Sequence, residues 1–222
     1  MKNFSTWLET HITLHTHDDA KAEKVNAYTH FLGSAIAFFA LIYILLNLDH
    51  LESEALRLGM VIYGIANLLL YTASGLYHYL PRNNVKRFCR ILDHSNIYFL
   101  IAGTYTPLLL YINSQKTITL AWLMLLICAL GIAFTLFFWG RLKPMHVALY
   151  LLMGWMVVFC WGDIVPFLPK GLMSYIIGGG ITYTLGVIFY GCKKIPHYHA
   201  IWHLFVLGGS IWFYLGFFRY FF

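Results

Sequence analysis

Three features of this sequence predict an all-α fold, a polytopic membrane protein built as a seven-transmembrane-helix bundle. The 222-residue chain is 60% hydrophobic and only 11% charged, against about 25% charged in an ordinary soluble domain. Its charges are segregated: the stretches 25–48, 58–81, 94–115, 117–140, 144–162, 171–192 and 195–218 contain no Asp, Glu, Lys or Arg. Each is 19 to 24 residues long, and a helix needs about 20 apolar residues to cross a bilayer. In lipid every backbone N–H and C=O must be satisfied within its own segment, which requires helices here. A β-barrel would show alternating segments of about 10 residues instead.

Residues 1–24 are expected to form a cytoplasmic tail, and residues 25–222 a seven-helix transmembrane domain. The tail is polar, carries Glu9, Asp18 and Asp19, and lacks the apolar stretch and small-residue cleavage site of a secretory signal. The first span is therefore expected to serve as an uncleaved anchor. Phe4, Trp7, Leu8 and Ile12 recur at near-helical spacing, which fits a helix on the membrane surface or an unordered tail. His11, His15 and His17 fall in this tail and read as solvated residues or a weak surface metal site.

The spans run approximately 26–47, 57–80, 89–112, 117–139, 144–162, 171–191 and 198–219. Pro107 lies inside the third and should kink it. Gly178–Gly180 in the sixth and Gly208–Gly209 in the seventh allow close helix approach; no strand precedes them, as a nucleotide loop would need. Trp139, Trp161, Tyr190 and Tyr220 fall near span ends, where amphipathic rings anchor in the interface. The loops are short and leave no room for a second domain. Cys89, Cys128, Cys160 and Cys192 form no CxxC pair and read as small apolar residues.

Basic residues set the orientation. Eleven of them (Lys2, Lys21, Lys24, Arg82, Lys86, Arg87, Arg90, Arg141, Lys143, Lys193 and Lys194) fall in the tail and the even-numbered loops. Four (Arg57, Lys116, Lys170 and Arg219) fall on the other face. The positive-inside rule places the N-terminus in the cytoplasm and the C-terminus outside. The net charge of +6 is accordingly a topology signal that also favours anionic headgroups. Membrane lipids are the expected partners, and nothing resembles a nucleic-acid module.

Against this apolar background His78, Asp93, His199 and His203 stand out. Ionisable groups are expensive in hydrocarbon and rarely occur there without a partner. His199 and His203 are four residues apart, on one face of the seventh helix and one turn from each other. The second span descends to the cytoplasm and ends Ser74-Gly-Leu-Tyr-His78; the third ascends from it and opens Leu92-Asp93-His94. All four groups therefore reach the same leaflet at similar depth. Three imidazoles and a carboxylate converging there point to a transition metal, most simply zinc.

Each residue also has a plainer reading. A membrane-edge histidine is commonly interfacial, Asp93 can pair with Arg90 or cap its helix, and Ser74 can bond back to its own helix. His30 and His146 also begin ascending spans and are candidates for the surroundings of the site. His94 points about 100° away from Asp93, which makes it, like His30, a secondary candidate. His50 lies on the opposite face.

At these residues the chain resembles the hemolysin III family of the progestin and adipoQ receptor (PAQR) superfamily. The resemblance covers nearly the whole chain. It is carried by Glu23-Lys-Val-Asn26-Ala-Tyr-Thr-His30, Ser74-Gly-Leu-Tyr-His78, Leu92-Asp93-His94-Ser-Asn-Ile, Ala102-Gly-Thr-Tyr-Thr-Pro107 and His199-Ala-Ile-Trp-His203. It implies a seven-helix bundle with a cytoplasmic N-terminus and a zinc ion on the histidines matching His78, His199 and His203. It further implies that Asp93 approaches the metal through a water, with Ser74 adjacent. The long soluble N-terminal region of the animal receptors is absent, so hormone binding does not carry over.

Three protein ligands and a water make an open site of the catalytic kind. Asp93 could orient or deprotonate that water, and Ser74 could serve as an oxyanion donor or stand behind the ligands. The expected function is a zinc-dependent hydrolase of a membrane lipid amide, resembling the ceramidase-like activity attributed to PAQR proteins. The alternatives are a non-enzymatic receptor or regulator with a structural zinc and a hemolysin-type pore former. No span carries a polar stripe suited to a wide aqueous lumen, which weighs against the pore.

Overall fold

A computed structural model of the protein describes residues 2–14 and 19–222. His15, His17 and Asp18 of the predicted tail lie outside the described residues. The helices are α1 (Lys2–His11), α2 (Ala20–Leu46), α3 (Glu54–Tyr79), α4 (Asn84–Ile112), α5 (Gln115–Phe137), α6 (Lys143–Gly154), the short α7 (Met156–Phe159) and α8 (Trp161–Ile164), α9 (Leu172–Gly191) and α10 (Tyr198–Phe221). Among the described residues no strand occurs. Six helices, α2, α3, α4, α5, α9 and α10, are long and apolar enough to cross a membrane.

The predicted fifth span, 144–162, is not one continuous helix. It breaks after Gly154 and again at Cys160. The cause is a side chain from α4. The Tyr105 hydroxyl donates to the Gly154 carbonyl (2.9 Å) and accepts from the Val157 N–H (2.9 Å), occupying groups that the helical ladder would have paired. The broken segment still runs the length of the α4–α5 hairpin. The Tyr150 hydroxyl donates to the His94 carbonyl near one end (3.4 Å), and Asp163 meets Lys116 at the other (2.9 Å).

The exterior is apolar. Leu46, Trp122 and Phe137 are 80%, 69% and 83% exposed, while Asn67, Ser74, His203 and Ser210 are buried. That inversion suits a lipid solvent, in which apolar side chains need no shelter and polar ones do.

Local signals set the helix limits. Ser53 caps α3 by accepting the Leu56 N–H, and Asn83 caps α4 by accepting the Lys86 N–H. Ser114 and Thr117 close a capping box on α5. Helix α4 runs on through Pro107. The Gly103 carbonyl, denied the missing proline N–H, accepts the Thr106 hydroxyl instead (2.7 Å).

α3 packs between α2 and α4, and α10 packs between α9 and α2. Gly59 lets α3 approach the α4 backbone; a Cβ there would stand 2.8 Å from the Thr106 carbonyl oxygen. Gly179 receives the Phe213 ring and Gly209 the Tyr183 ring where α9 meets α10. A polar knot fixes α10 against α3 and α9. Tyr63 donates to the Ser210 carbonyl (3.0 Å), and the Tyr71 and Tyr183 hydroxyls meet Ser210 Oγ (2.7 and 2.8 Å).

The near-helical spacing in the tail does form a helix, but α1 docks on protein. Leu8 and Ile12 are buried. Asn84 Nδ2 donates to Ser5 and Glu9, and Arg87 Nε donates to the Ile12 carbonyl. The tail therefore lies against the start of α4.

Candidate metal centre

The end of α3 and the beginning of α10 bring three imidazoles together. One ring nitrogen from each of His78, His199 and His203 lies within 4.8 Å of the other two. The ring centroids are 5.0 Å apart for His78–His199, 5.1 Å for His78–His203 and 4.5 Å for His199–His203. His78 and His203 are buried and His199 is half-buried.

Neighbouring groups settle which nitrogen each buried ring presents. His78 Nδ1 lies 2.9 Å from Glu23 Oε1. A carboxylate only accepts, so Nδ1 carries the proton and Nε2 the free lone pair. His203 Nδ1 lies 3.2 Å from the Asn26 carbonyl oxygen and 3.1 Å from Thr29 Oγ1. A carbonyl also only accepts, so His203 Nε2 is likewise bare.

These groups suit zinc on the chemistry of the donors. His78 Nε2 is buried and makes no hydrogen bond, a costly state for an isolated nitrogen and the proper state for a ligand. Bonding the far ring nitrogen to a carboxylate or backbone carbonyl is how metal-binding histidines are oriented.

Asp93 sits on the third turn of α4, with its side chain 15% exposed. Asn83 caps that helix, so capping is not the role of Asp93. Its Oδ2 lies 3.4 Å from His94 Nδ1. It stays outside the three-histidine group. Ser74 is fully buried beside Asp93, toward which its hydroxyl is the adjacent donor; among the described residues it makes no hydrogen bond of standard geometry, none back to its own helix included.

His30 is buried against the triad, its ring stacked on that of His203. Among the described residues neither of its nitrogens has a hydrogen-bond partner. His94 leans on the Trp139 ring (5.2 Å). His146 lies 3.2 Å from the Tyr98 hydroxyl, and His197 begins α10 in a left-handed conformation. His50 lies in the short 3₁₀ turn between α2 and α3.

A cavity of about 350 Å³ opens on this group. His30, Asp93, His199 and His203 line one end, and Leu108 and Trp161 the other. Ser74 and His78 are not on its wall. Along α4 the lining runs from Arg90 to Leu108, roughly 27 Å at the rise of an α-helix. The void is bounded by α4, α9, α10 and the broken α6–α8 segment, which packs sparsely on its neighbours.

Glu23, Asn26 and Thr29 have no assigned role in the sequence reading, and Lys86 only that of a topology charge. Glu23, Asn26 and His30 stand at i, i+3 and i+7, a helical face pointing at one target. That spacing was the available signal. Lys86 read as a topology charge; here its Nζ lies 2.9 Å from Glu23 Oε2.

The profile of a family described as "Haemolysin-III related" matches residues 19–214. The chain is 39% identical over 191 residues to "Hemolysin-3 homolog" of Bacillus subtilis (strain 168), covering 86% of this chain and 90% of that protein. It is 37% identical over 191 residues to "Hemolysin-3" of Bacillus cereus, covering 86% and 87%. It is also similar to "Monocyte to macrophage differentiation factor" of Homo sapiens, 30% identical over 158 residues that cover 65% of this chain and 63% of that one.

Proposed function

This chain belongs to the haemolysin-III related family, within the PAQR superfamily, and from that premise we propose that it is a zinc-dependent hydrolase of a membrane lipid amide. One observation supports the reading: the long, largely apolar cavity ends at Asp93, His30 and two of the three triad histidines, His199 and His203. Its shape suits a single acyl chain with the polar bond held at the histidine end.

His78, His199 and His203 hold the metal in this reading. Zinc bound there supplies Lewis-acid polarisation of a carbonyl and a lowered pKa for a water. Asp93 takes a proton from the attacking water as its oxygen bonds to the amide carbon. The same carboxyl returns the proton to the departing nitrogen as the C–N bond breaks, giving a fatty acid and an amine. Ser74 lies behind the cavity wall, so its assigned role is to orient Asp93, not to contact the oxyanion. His30, on the wall with both nitrogens unpartnered, hydrogen-bonds the polar group of the lipid.

In the proposed topology the broken segment α6–α8 is the fifth of seven crossings, after a cytoplasmic tail of residues 1–24. Its run along the full α4–α5 hairpin supports this. Seven crossings would put the termini on opposite sides of the membrane, and the distribution of basic residues supports an N-terminus in the cytoplasm of a bacterial cell and a C-terminus outside.

A structural zinc in a non-enzymatic regulator shares the same ligands; the cavity favours the enzyme. The apolar lining also disfavours an aqueous pore. The test is fatty-acid release from a panel of lipid amides, ceramide included, by the purified protein in nanodiscs. Release that requires zinc supports the hydrolase, and no release from any member sinks it.

A further inference from the structure

The Glu23 carboxylate is divided between two partners across three helices. Oε1 takes His78 Nδ1 from α3 and Oε2 takes Lys86 Nζ from α4, each at 2.9 Å. Lys86 is itself buried, with its ammonium 3.5 Å from the His78 carbonyl oxygen and 4.9 Å from the Tyr77 ring centroid. Two charges in a desolvated place are costly unless each is paired and hydrogen-bonded. A stability role alone would be met as well by apolar side chains of similar size. What the pair accomplishes is to aim one imidazole.

We infer that Glu23, anchored by Lys86, is a positioning residue that turns His78 Nε2 toward the metal, so that α2 controls zinc capture without supplying a ligand. The same helix treats the second ligand alike. One turn on, the Asn26 carbonyl and Thr29 hydroxyl hold His203 Nδ1, and Thr29 donates to that carbonyl as well (2.7 Å). Two of the three ligand rings are thus set by one face of α2. Among the described residues no such hydrogen bond is seen for His199, whose ring packs against Tyr190 and Tyr198. A carboxylate on the far nitrogen also makes the imidazole a stronger donor to the metal.

The inference rests on the zinc reading, and its test separates the two. Full-length protein in detergent is stripped of metal and titrated with Zn²⁺ against a competing chelator, then with Co²⁺ by visible spectroscopy. Wild type is compared with Glu23→Ala, Glu23→Gln and Lys86→Met. Glu23→Ala should weaken zinc binding roughly 10- to 100-fold. Glu23→Gln keeps an acceptor but not the charge, so its loss should fall between. Lys86→Met should weaken binding in the same direction by less, and the Co²⁺ band should shift in all three. A purely structural salt bridge would lower the metal-free melting temperature but leave the affinity and the Co²⁺ band unchanged, and that result overturns the inference. Should the Glu23 variants fail to fold, an unchanged Lys86→Met affinity overturns it equally. Failure of the wild type itself to bind either metal refutes the zinc reading and the positioning role with it.

Discussion

The His30 ring lies flat against that of His203, with centroids 3.5 Å apart and planes 17° from parallel. A ring stacked face to face cannot direct a nitrogen lone pair at the metal that its neighbour would bind, since those lone pairs lie in the ring plane. In the zinc reading His30 is thus a wall residue of the cavity rather than a fourth ligand. His30→Phe should therefore leave zinc content unchanged. Lipid turnover should fall about 10-fold, the scale of one lost hydrogen bond of about 1.4 kcal/mol. Metal analysis and a fatty-acid assay on the same sample read both quantities.

Asp93 should behave in the complementary way. Asp93→Asn keeps the size of the side chain but cannot take up a proton. It should cut fatty-acid release by roughly 100- to 10,000-fold while most of the zinc stays bound. A variant that loses both together would instead make Asp93 part of the metal-holding shell.

Tyr105→Phe tests the break after Gly154. Removing the hydroxyl leaves the Gly154 carbonyl and the Val157 N–H without their partner, at a cost of about 1–3 kcal/mol for each group left unsatisfied. Thermal unfolding in detergent should show the loss. No change would mean that the broken segment closes into a regular helix when the tyrosine is gone.

Much of this molecule was legible in its sequence, for a physical reason. A charged group in hydrocarbon is so unfavourable that charge-free runs mark the spans. The i, i+4 spacing of His199 and His203 marks a shared helical face. The break at Gly154 was not legible, because the hydroxyl that causes it comes from Tyr105, about fifty positions away. Nor was Glu23: in sequence it is a charge at a span's edge, and only the packing of α2 on α3 and α4 turns it toward His78 and Lys86. The helical spacing of Leu8 and Ile12 left a surface helix and an unordered tail both open, and it held no sign of the protein surface that receives α1. The cavity has no sequence signature at all, since it arises from the sparse packing of α6–α8 against α4 and α9.

The most direct test is the metal content of the protein purified without chelators, wild type beside His199→Ala and His203→Ala. A shared cation on these rings predicts about one zinc per wild-type chain and almost none in either variant. A wild-type protein free of zinc, or variants that keep it, would contradict the account.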